Sequence, residues 1–179
     1  MALLLAEQSR LFFALWPDDD TRARAAALAR RFQKDYGGRE MARESLHITL
    51  VFLGQTLDSR IPGLEVIAGA IATPSFTLAL TYAGGWPGGI FRLAPRQPPE
   101  ELAVLVKTLR LALKSDGFFF DGKPFVPHMT LLRKARTQPA EIGITPVEFF
   151  VRDFVLVRTQ PEENGVRHEV IGRFPLSAG

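Results

Sequence analysis

The pattern His-x-Thr-Leu occurs twice in this chain of 179 residues and constrains the fold more than any other sequence feature. The first copy spans 47–50 and the second 128–131, so the two histidines are 81 positions apart (128 − 47 = 81). The chain has only three histidines in all. Both copies lie in apolar, β-rich surroundings, which predicts two similar strands, one in each half of the chain.

A strand directs its side chains alternately to its two faces, so residues i and i+2 share a face. His47 and Thr49 therefore project together, while Ile48 and Leu50 point the other way, toward a core. The second copy repeats the arrangement. Two such strands from similar lobes would present an imidazole and a hydroxyl each to a groove between them.

The remaining pattern alternates strands and helices along the chain. Apolar periodicity, Gly/Pro punctuation and helix-capping residues predict the elements. Strands are predicted at 9–15, 46–53, 75–83, 90–93, 148–158 and 166–174; helices at about 18–36, 59–72 and 100–114; a turn at 84–89; and a hairpin loop at 160–165. This order indicates an α+β fold of mostly antiparallel sheet with helices packed outside.

Length and composition indicate one domain over residues 1–179, built as two similar lobes. Apolar residues make up 46% and charged residues 23%, as in ordinary soluble globular proteins. The formal charge of +3 and the pI of about 9.6 suit a polyanion such as RNA, and equally suit solubility alone. Residues 1–6 form an apolar run too short for a signal segment, and no run approaches membrane-spanning length. We therefore expect no membrane association. We also expect a cytoplasmic location, which the absence of cysteine permits, and a monomeric protein.

Paired histidines on opposite sides of a groove suit an in-line displacement at phosphorus. The attacking and leaving oxygens lie on opposite sides of the phosphorus atom, so one imidazole must accept a proton and the other must donate one. An imidazole with an ordinary pKa of about 6.5 serves in either role near neutral pH. Threonine hydroxyls would donate hydrogen bonds to the non-bridging oxygens. The scheme needs neither a metal nor another cofactor.

Two other kinds of site fit the sequence less well. A metal site would have to bring His168 to the two motif histidines, and the spacing matches no paired-ligand motif. A serine hydrolase would need a G-x-S-x-G elbow, which is missing from the sequence. A single His-x-Thr-Leu would be read as structural, but two copies in a histidine-poor chain favour acid–base catalysis.

Around these motifs the chain resembles the two-histidine (2H) phosphoesterase superfamily, and within it the bacterial RNA 2′,3′-cyclic phosphodiesterases, also called 2′-5′ RNA ligases. The resemblance covers nearly the whole chain and is carried by four segments: RLFFAL (10–15), ESLHITLVFLG (44–54), RQPPEEL (96–102) and KPFVPHMTLLRKA (123–135). It implies two pseudo-symmetric lobes with a central groove. It also implies hydrolysis of 2′,3′-cyclic phosphate RNA ends to 2′-phosphates, with 2′-5′ joining as the reverse reaction.

By this resemblance His47 is the general acid that protonates the departing 3′ oxygen, and His128 is the general base that activates water. Thr49 and Thr130 hold the phosphate. The motif itself is symmetric, so its spacing does not say which histidine is acid and which is base.

Further substrate-binding candidates flank the motifs. Arg133 follows His128 by five residues, an odd offset that places it on the opposite strand face unless the strand bends. Arg43 precedes the first motif in a loop. Phe12 and Phe13 alternate, so one is expected in the groove, to stack a base, and the other in the core.

Two positions depart from the resembled family, in which an aromatic often stands at Arg92 and tyrosine at His168. His168 is otherwise expected to be a structural residue near a sheet edge. Three functions stay open at this point: the RNA phosphodiesterase, a phosphodiesterase of small cyclic nucleotides or ADP-ribose cyclic phosphate, and a non-catalytic module that binds RNA or a nucleotide.

Overall fold

The structure is a computed structural model that describes residues 7–136 and 138–178. It contains nine strands: β1 Gln8–Leu15, β2 Arg39–Glu40, β3 Ile48–Leu57, β4 Phe76–Trp86, β5 Ile90–Ala94, β6 Met129–Arg133, β7 Ile142–Val151, β8 Asp153–Glu162 and β9 Gly165–Pro175. Its α-helices are α1 Asp19–Tyr36, α2 Ile61–Gly69 and α3 Glu100–Ser115. Short 3-10 helices span Arg43–Ser45 and Asp58–Arg60. The predicted run at 1–6 lies outside the described residues.

The strands form two antiparallel sheets. The first sheet has the order β3-β1-β8-β9 and the second the order β2-β6-β5-β4-β7. Each motif strand is the first of four paired strands, β3-β1-β8-β9 in one sheet and β6-β5-β4-β7 in the other, and the short β2 pairs on the outer side of β6. This is the expected two-lobed α+β architecture. The lobes are not the two halves of the chain, because the first sheet combines strands from both chain ends.

The helices cross over between the sheets. Helix α1 follows a strand of the first sheet but packs on β6 and β7 of the second, while α2 and α3 pack on β9 and β3 of the first. Phe32 of α1 meets Phe91 of β5 with ring centroids 4.9 Å apart. One continuous hydrophobic core consequently runs through both lobes. Among the residues described, no helix is both long and apolar enough to span a membrane.

Local sequence signals explain the helices. Asp18 caps α1, because its carboxylate accepts the Thr21 N–H at 2.7 Å, and Gly37 ends it with φ 67°. The apolar residues of α3 that recur at helical spacing are all buried: Leu102, Leu105, Val106, Leu109 and Leu113. Burying each such side chain contributes about 1.5–3 kcal/mol, so the stripe fixes the helix on the first sheet.

Three predicted elements were wrong. The hairpin loop predicted at 160–165 is confined to 163–164, because β8 runs to Glu162 and β9 begins at Gly165. The strand predicted at 148–158 is two strands, because the chain leaves the second sheet after Val151 and enters the first sheet at Asp153. No Gly or Pro marks this switch. The turn predicted at 84–89 is shorter, since Gly84 and Gly85 continue β4. A Cβ at Gly84 would collide with the Ala140 carbonyl oxygen, so this glycine serves close backbone approach.

Candidate active site

The two motifs occupy equivalent places in their sheets. His47 directly precedes β3 and His128 directly precedes β6, one residue outside the strands in which they were expected. The alternation beyond them is as predicted. Ile48 and Leu50 are buried in the core, and the same holds for the corresponding residues of the second motif, Met129 and Leu131.

A β-bulge follows the threonine of each motif. In the β1–β3 pairing, Ala14 faces Thr49 and Phe13 faces Val51, so Leu50 is the extra residue. In the β5–β6 pairing, Leu131 is likewise skipped between Thr130 and Leu132. Each bulge buries two consecutive residues and shifts the alternation by one.

The second bulge corrects the expectation for Arg133. Thr130 and Arg133, three residues apart, now share a strand face, because Leu131 and Leu132 both point to the core. In the first motif Thr49 and Phe52 likewise share a strand face, because Leu50 and Val51 are both buried. In a regular strand the odd offset from His128 would direct Arg133 away from the groove. Because the bulge shifts the alternation by one, Arg133 lies at the groove and lines the same cavity as His47.

The backbone fixes the tautomer of both motif histidines. His47 Nδ1 lies 2.6 Å from the Ser45 carbonyl oxygen, and His128 Nδ1 lies 2.8 Å from that of Val126. A carbonyl only accepts, so Nδ1 carries the proton and Nε2 is left for chemistry. In the neutral His47 ring, Nε2 at 3.1 Å accepts from the Thr49 hydroxyl.

The environment favours the neutral form of both rings. Burial lowers the pKa of His47 to about 4, the Ser45 carbonyl opposes this shift, and the nearby charges of His168, His128 and Arg133 add to it. Burial also lowers the pKa of His128, against its hydrogen bond to Val126, and Arg92 lowers it further.

A tryptophan packs against each motif histidine. Trp16 stacks on His47 with centroids 5.3 Å apart and planes 11° apart. Trp86 meets His128 at 4.6 Å and 62°. Arg92 lies 4.2 Å from the centroid of the Trp86 ring, so the position that departs from the resembled family adds a cation behind this wall.

A cavity of about 500 Å³ opens in front of His47. Its walls include Thr49, Phe12, Phe52, Arg133, Arg10 and His168. Phe12 is 4.9 Å from the His47 ring, centroid to centroid, and belongs to a small apolar cluster on this face of the first sheet. Phe13 is fully buried in the main core, so of the two phenylalanines it is Phe12 that reaches the groove.

Arg43 does not line this cavity. Its guanidinium donates to the Asp19 carbonyl oxygen at 3.0 Å and ties the loop before the first motif to the start of α1. The place of Arg43 in the structure is therefore that of a loop anchor, and the substrate contact considered from sequence has no support in the contacts.

His168 is the site residue that sequence reasoning missed. Its ring meets that of His47 edge-on at 5.4 Å, and its Nδ1 lies 3.2 Å from the Thr159 hydroxyl. Burial, Arg133 and Arg10 lower its pKa. Two signals were available: it is the third histidine in a histidine-poor chain, and it stands where the resembled family often has tyrosine. Within 7–136 and 138–178, no group of three or more His, Asp or Glu side chains is arranged to hold a metal ion.

A second, smaller cavity of about 240 Å³ lies beside His128. It shares Thr49 and Phe52 with the larger cavity, so the two adjoin at the first motif. Trp86, Phe125, Arg110 and Lys123 are among its walls. The groove therefore has one compartment at each histidine, and Thr49 lies where the two compartments adjoin.

One histidine beside each of two adjoining cavities, each followed by a threonine two positions on, is the arrangement of a two-histidine phosphoesterase site. The family model of the 2′-5′ RNA ligase superfamily matches residues 17–163. The chain belongs to this superfamily, which confirms the resemblance drawn from its motifs.

Individual relatives agree in sequence and in fold. The chain is 37% identical to an RNA 2′,3′-cyclic phosphodiesterase of Escherichia coli K12 over 178 residues, covering 97% of this chain and 99% of the relative. It is 27% identical to a protein of the same name from Thermus thermophilus, covering 93% and 90%. The crystal structure of E. coli LigT complexed with 3′-AMP superposes with a TM-score of 0.85 at 32% identity, covering 96% of this chain and 99% of that one.

Proposed function

We propose that this protein is an RNA 2′,3′-cyclic phosphodiesterase that hydrolyses cyclic phosphate ends to 2′-phosphates. The observation that carries the proposal is the matched pair of imidazoles, each with Nδ1 held by a backbone carbonyl, which leaves Nε2 for the groove; in His47 this Nε2 meets the Thr49 hydroxyl. Hydrolysis at phosphorus needs a proton acceptor on one side and a proton donor on the other. A binding module needs neither.

The compartments support His47 as the acid. The 3′ oxygen that leaves the phosphorus stays attached to the RNA, so its proton donor must stand on the side that holds the RNA end. The larger cavity, at His47, has Phe12 in its wall, only 4% exposed, and offers Arg133 for phosphate charge. Water then attacks from the compartment at His128, which takes its proton. Thr49 and Thr130 donate hydrogen bonds to the non-bridging oxygens. These hydrogen bonds stabilise the negative charge on the oxygens in the transition state.

Substrate binding supplies the protonated acid. In the free protein the His47 pKa of about 4 leaves the ring neutral at pH 7. A bound phosphate anion beside the ring favours the imidazolium and raises that pKa. His128, whose pKa is also lowered, stays neutral and ready to accept. Binding therefore selects the pair of protonation states that the displacement requires.

An RNA end suits the groove better than a mononucleotide. The larger cavity continues past Arg10, Thr159 and Val166, which also line a neighbouring polar cavity of about 550 Å³. Gln55, Arg158 and Gln160 line this extension. It gives room and hydrogen-bond partners for nucleotides upstream of the cyclic end.

The site is complete within one chain, since both histidines and both threonines come from it. We infer that the enzyme acts as a monomer in the cytoplasm, without a metal or other cofactor, and that it catalyses the reverse 2′-5′ joining when a second RNA replaces water. The following test also distinguishes two other functions. One is a phosphodiesterase of small cyclic nucleotides or ADP-ribose cyclic phosphate, and the other is a non-catalytic module that binds RNA or a nucleotide.

The test incubates an RNA oligonucleotide ending in a 2′,3′-cyclic phosphate with the protein in EDTA and locates the product phosphate. We expect a 2′-phosphate, and a higher kcat/KM than for a nucleoside 2′,3′-cyclic phosphate or ADP-ribose 1″,2″-cyclic phosphate. A higher kcat/KM for a small substrate would move the assignment to that substrate. Binding of the RNA without turnover of any of the three would leave a binding module.

A further inference from the structure

The cavity at His47 carries more fixed positive charge than one cyclic phosphate neutralises. Its walls include three guanidinium groups, those of Arg10, Arg39 and Arg133, and no carboxylate among the described residues. A 2′,3′-cyclic phosphate has a single negative charge, which the proposed function gives to Arg133. This assignment leaves Arg10 and Arg39 facing the cavity without an anion.

Arg39 and Arg133 are direct neighbours across two strands. They lie opposite each other in the antiparallel pairing of β2 with β6, so both side chains project to the same face of the second sheet. In the part of the chain that the structure describes, neither of them forms an ion pair. Like charges directly opposite each other are destabilising, and an anion bound beside them offsets the repulsion.

Arg10 reaches the same cavity from the first sheet. It precedes Phe12 by two residues on β1, so it shares a strand face with Phe12 and lies about 7 Å farther along the strand. This step is comparable with the separation of neighbouring phosphates in an RNA strand. The Arg10 guanidinium lies 5.0 Å from the centroid of the Phe52 ring. Burial lowers the pKa of His168 most, and Arg133 and Arg10 lower it further, so both guanidiniums act on this part of the cavity.

The position of Arg10 is the junction between two cavities. It lines both the cavity at His47 and the polar cavity that continues from it. Among the described residues that line this extension, the carboxylate is that of Asp58, and it is paired with Arg158 at 3.6 Å. The charge of Arg10 is therefore available where an RNA strand would leave the active site.

We propose that Arg10 and Arg39, one from each lobe, form a second phosphate subsite. It binds the phosphodiester that joins the terminal nucleoside to the nucleoside before it. The inference rests on the proposed function and deepens it, because it names the part of the substrate that distinguishes an RNA end from a nucleoside cyclic phosphate. No bond is made or broken at this second phosphate. Two guanidiniums bind its charge and so hold the RNA end with the cyclic phosphate between His47 and His128.

The experiment changes the charge of the internal linkage and nothing else. It compares kcat/KM for three dinucleotides that end in a 2′,3′-cyclic phosphate, share both bases and carry a 2′-O-methyl group on the first nucleoside. The linkage is a phosphodiester, a phosphorothioate, which keeps the negative charge, or an uncharged methylphosphonate. We expect similar values for the first two and a value about tenfold lower or less for the third, because a charge-assisted hydrogen bond is lost. Added salt should narrow the difference, since exposed charges are screened.

Variants assign the effect to the two arginines. Arg10→Gln and Arg39→Gln should each lower kcat/KM for the phosphodiester substrate and bring the ratio of phosphodiester to methylphosphonate values toward one. Arg30→Gln, at an exposed position of α1 outside the cavity lining, is the matched control and should keep the wild-type ratio. Arg10 and Arg39 are both exposed, so their variants should fold as the wild type does.

The subsite and the proposed function can fail separately. Equal kcat/KM of the wild type for the phosphodiester and methylphosphonate substrates rejects the subsite and leaves the proposed function standing. So does a ratio that stays at the wild-type value in either Arg10→Gln or Arg39→Gln. A wild-type protein that hydrolyses none of the three dinucleotides to a 2′-phosphate rejects the proposed function, and the subsite with it.

Discussion

His47 and His168 meet edge to face on the lobe of the first sheet, with ring centroids 5.4 Å apart, although 121 positions separate them in the chain (168 − 47 = 121). A positive charge on His168 lowers the pKa of His47. The third histidine thus adds to burial, the larger cause, in lowering the pKa of the proposed acid, without belonging to either motif. Its partner Thr159 holds the ring in place through the 3.2 Å contact with Nδ1.

Replacing His168 should raise the pKa of His47. The variant His168→Gln removes the charge that opposes protonation and keeps a polar side chain in the cavity. Burial remains the largest cause of the shift, so the His47 pKa should rise from about 4 and still stay below 6.5. An NMR titration of the imidazole signals in both proteins checks this. An unchanged His47 pKa would show that the two rings are not electrostatically coupled.

The activity should peak in mildly acidic solution. The value of kcat/KM reports the free enzyme, in which the base must be neutral and the acid protonated. The pKa values of His47 and His128 are both lowered below 6.5, so the rising and falling limbs both lie below that value, and the maximum falls between them. The profile of kcat should peak at higher pH, because bound phosphate raises the pKa of His47. A kcat/KM maximum above pH 7 would contradict this account.

Arg133 and Arg43 should behave differently when truncated, although both flank a motif. Arg133 lines the cavity at His47, so Arg133→Ala should lower kcat/KM about tenfold or more, as expected when a charge-assisted hydrogen bond of roughly 1.5–3 kcal/mol is lost. Arg43 donates to the Asp19 carbonyl oxygen instead, and Arg43→Ala should keep near-normal kcat/KM. Steady-state kinetics on one cyclic-phosphate RNA compares them, and equal losses would reject the distinction.

The two threonines should contribute through their hydroxyls. Thr49→Ala and Thr130→Ala remove one donor to the phosphate each and should raise the barrier by up to about 3 kcal/mol, mainly in kcat. Thr49→Ser and Thr130→Ser retain the hydroxyl and are the matched controls. If serine and alanine variants lose activity equally, the threonines act by packing rather than by donation.

Local chemistry in the sequence predicts much of this molecule. Strand alternation buried Ile48 and Met129 as expected, and the stripe of α3 packs as its spacing predicts. Nothing local marks the bulges at Leu50 and Leu131, because a leucine fits either a regular strand or a bulge. They are defined by pairing with β1 and β5, and the bulge at Leu131 turns Arg133 to the groove.

Long-range pairing also explains the other differences. The run 147–157 has no breaking residue, yet Arg152 marks the passage from one sheet to the other, because β7 and β8 find partners in different sheets. His168 reaches His47 only through the pairing of β9 with β8 and of β8 with β1. Such placements depend on the whole topology, which periodicity along the chain does not contain.

The central claim is that His47 and His128 act as one acid–base pair, and kcat/KM of His47→Ala, His128→Ala and the double variant on a 2′,3′-cyclic phosphate RNA tests it most directly. The account predicts a loss of about 100-fold to 10,000-fold for each single variant with the fold intact by circular dichroism. It also predicts a double variant much less impaired than the product of the two losses, because residues that act as a unit are not additive. A His47→Ala protein with wild-type activity would contradict it.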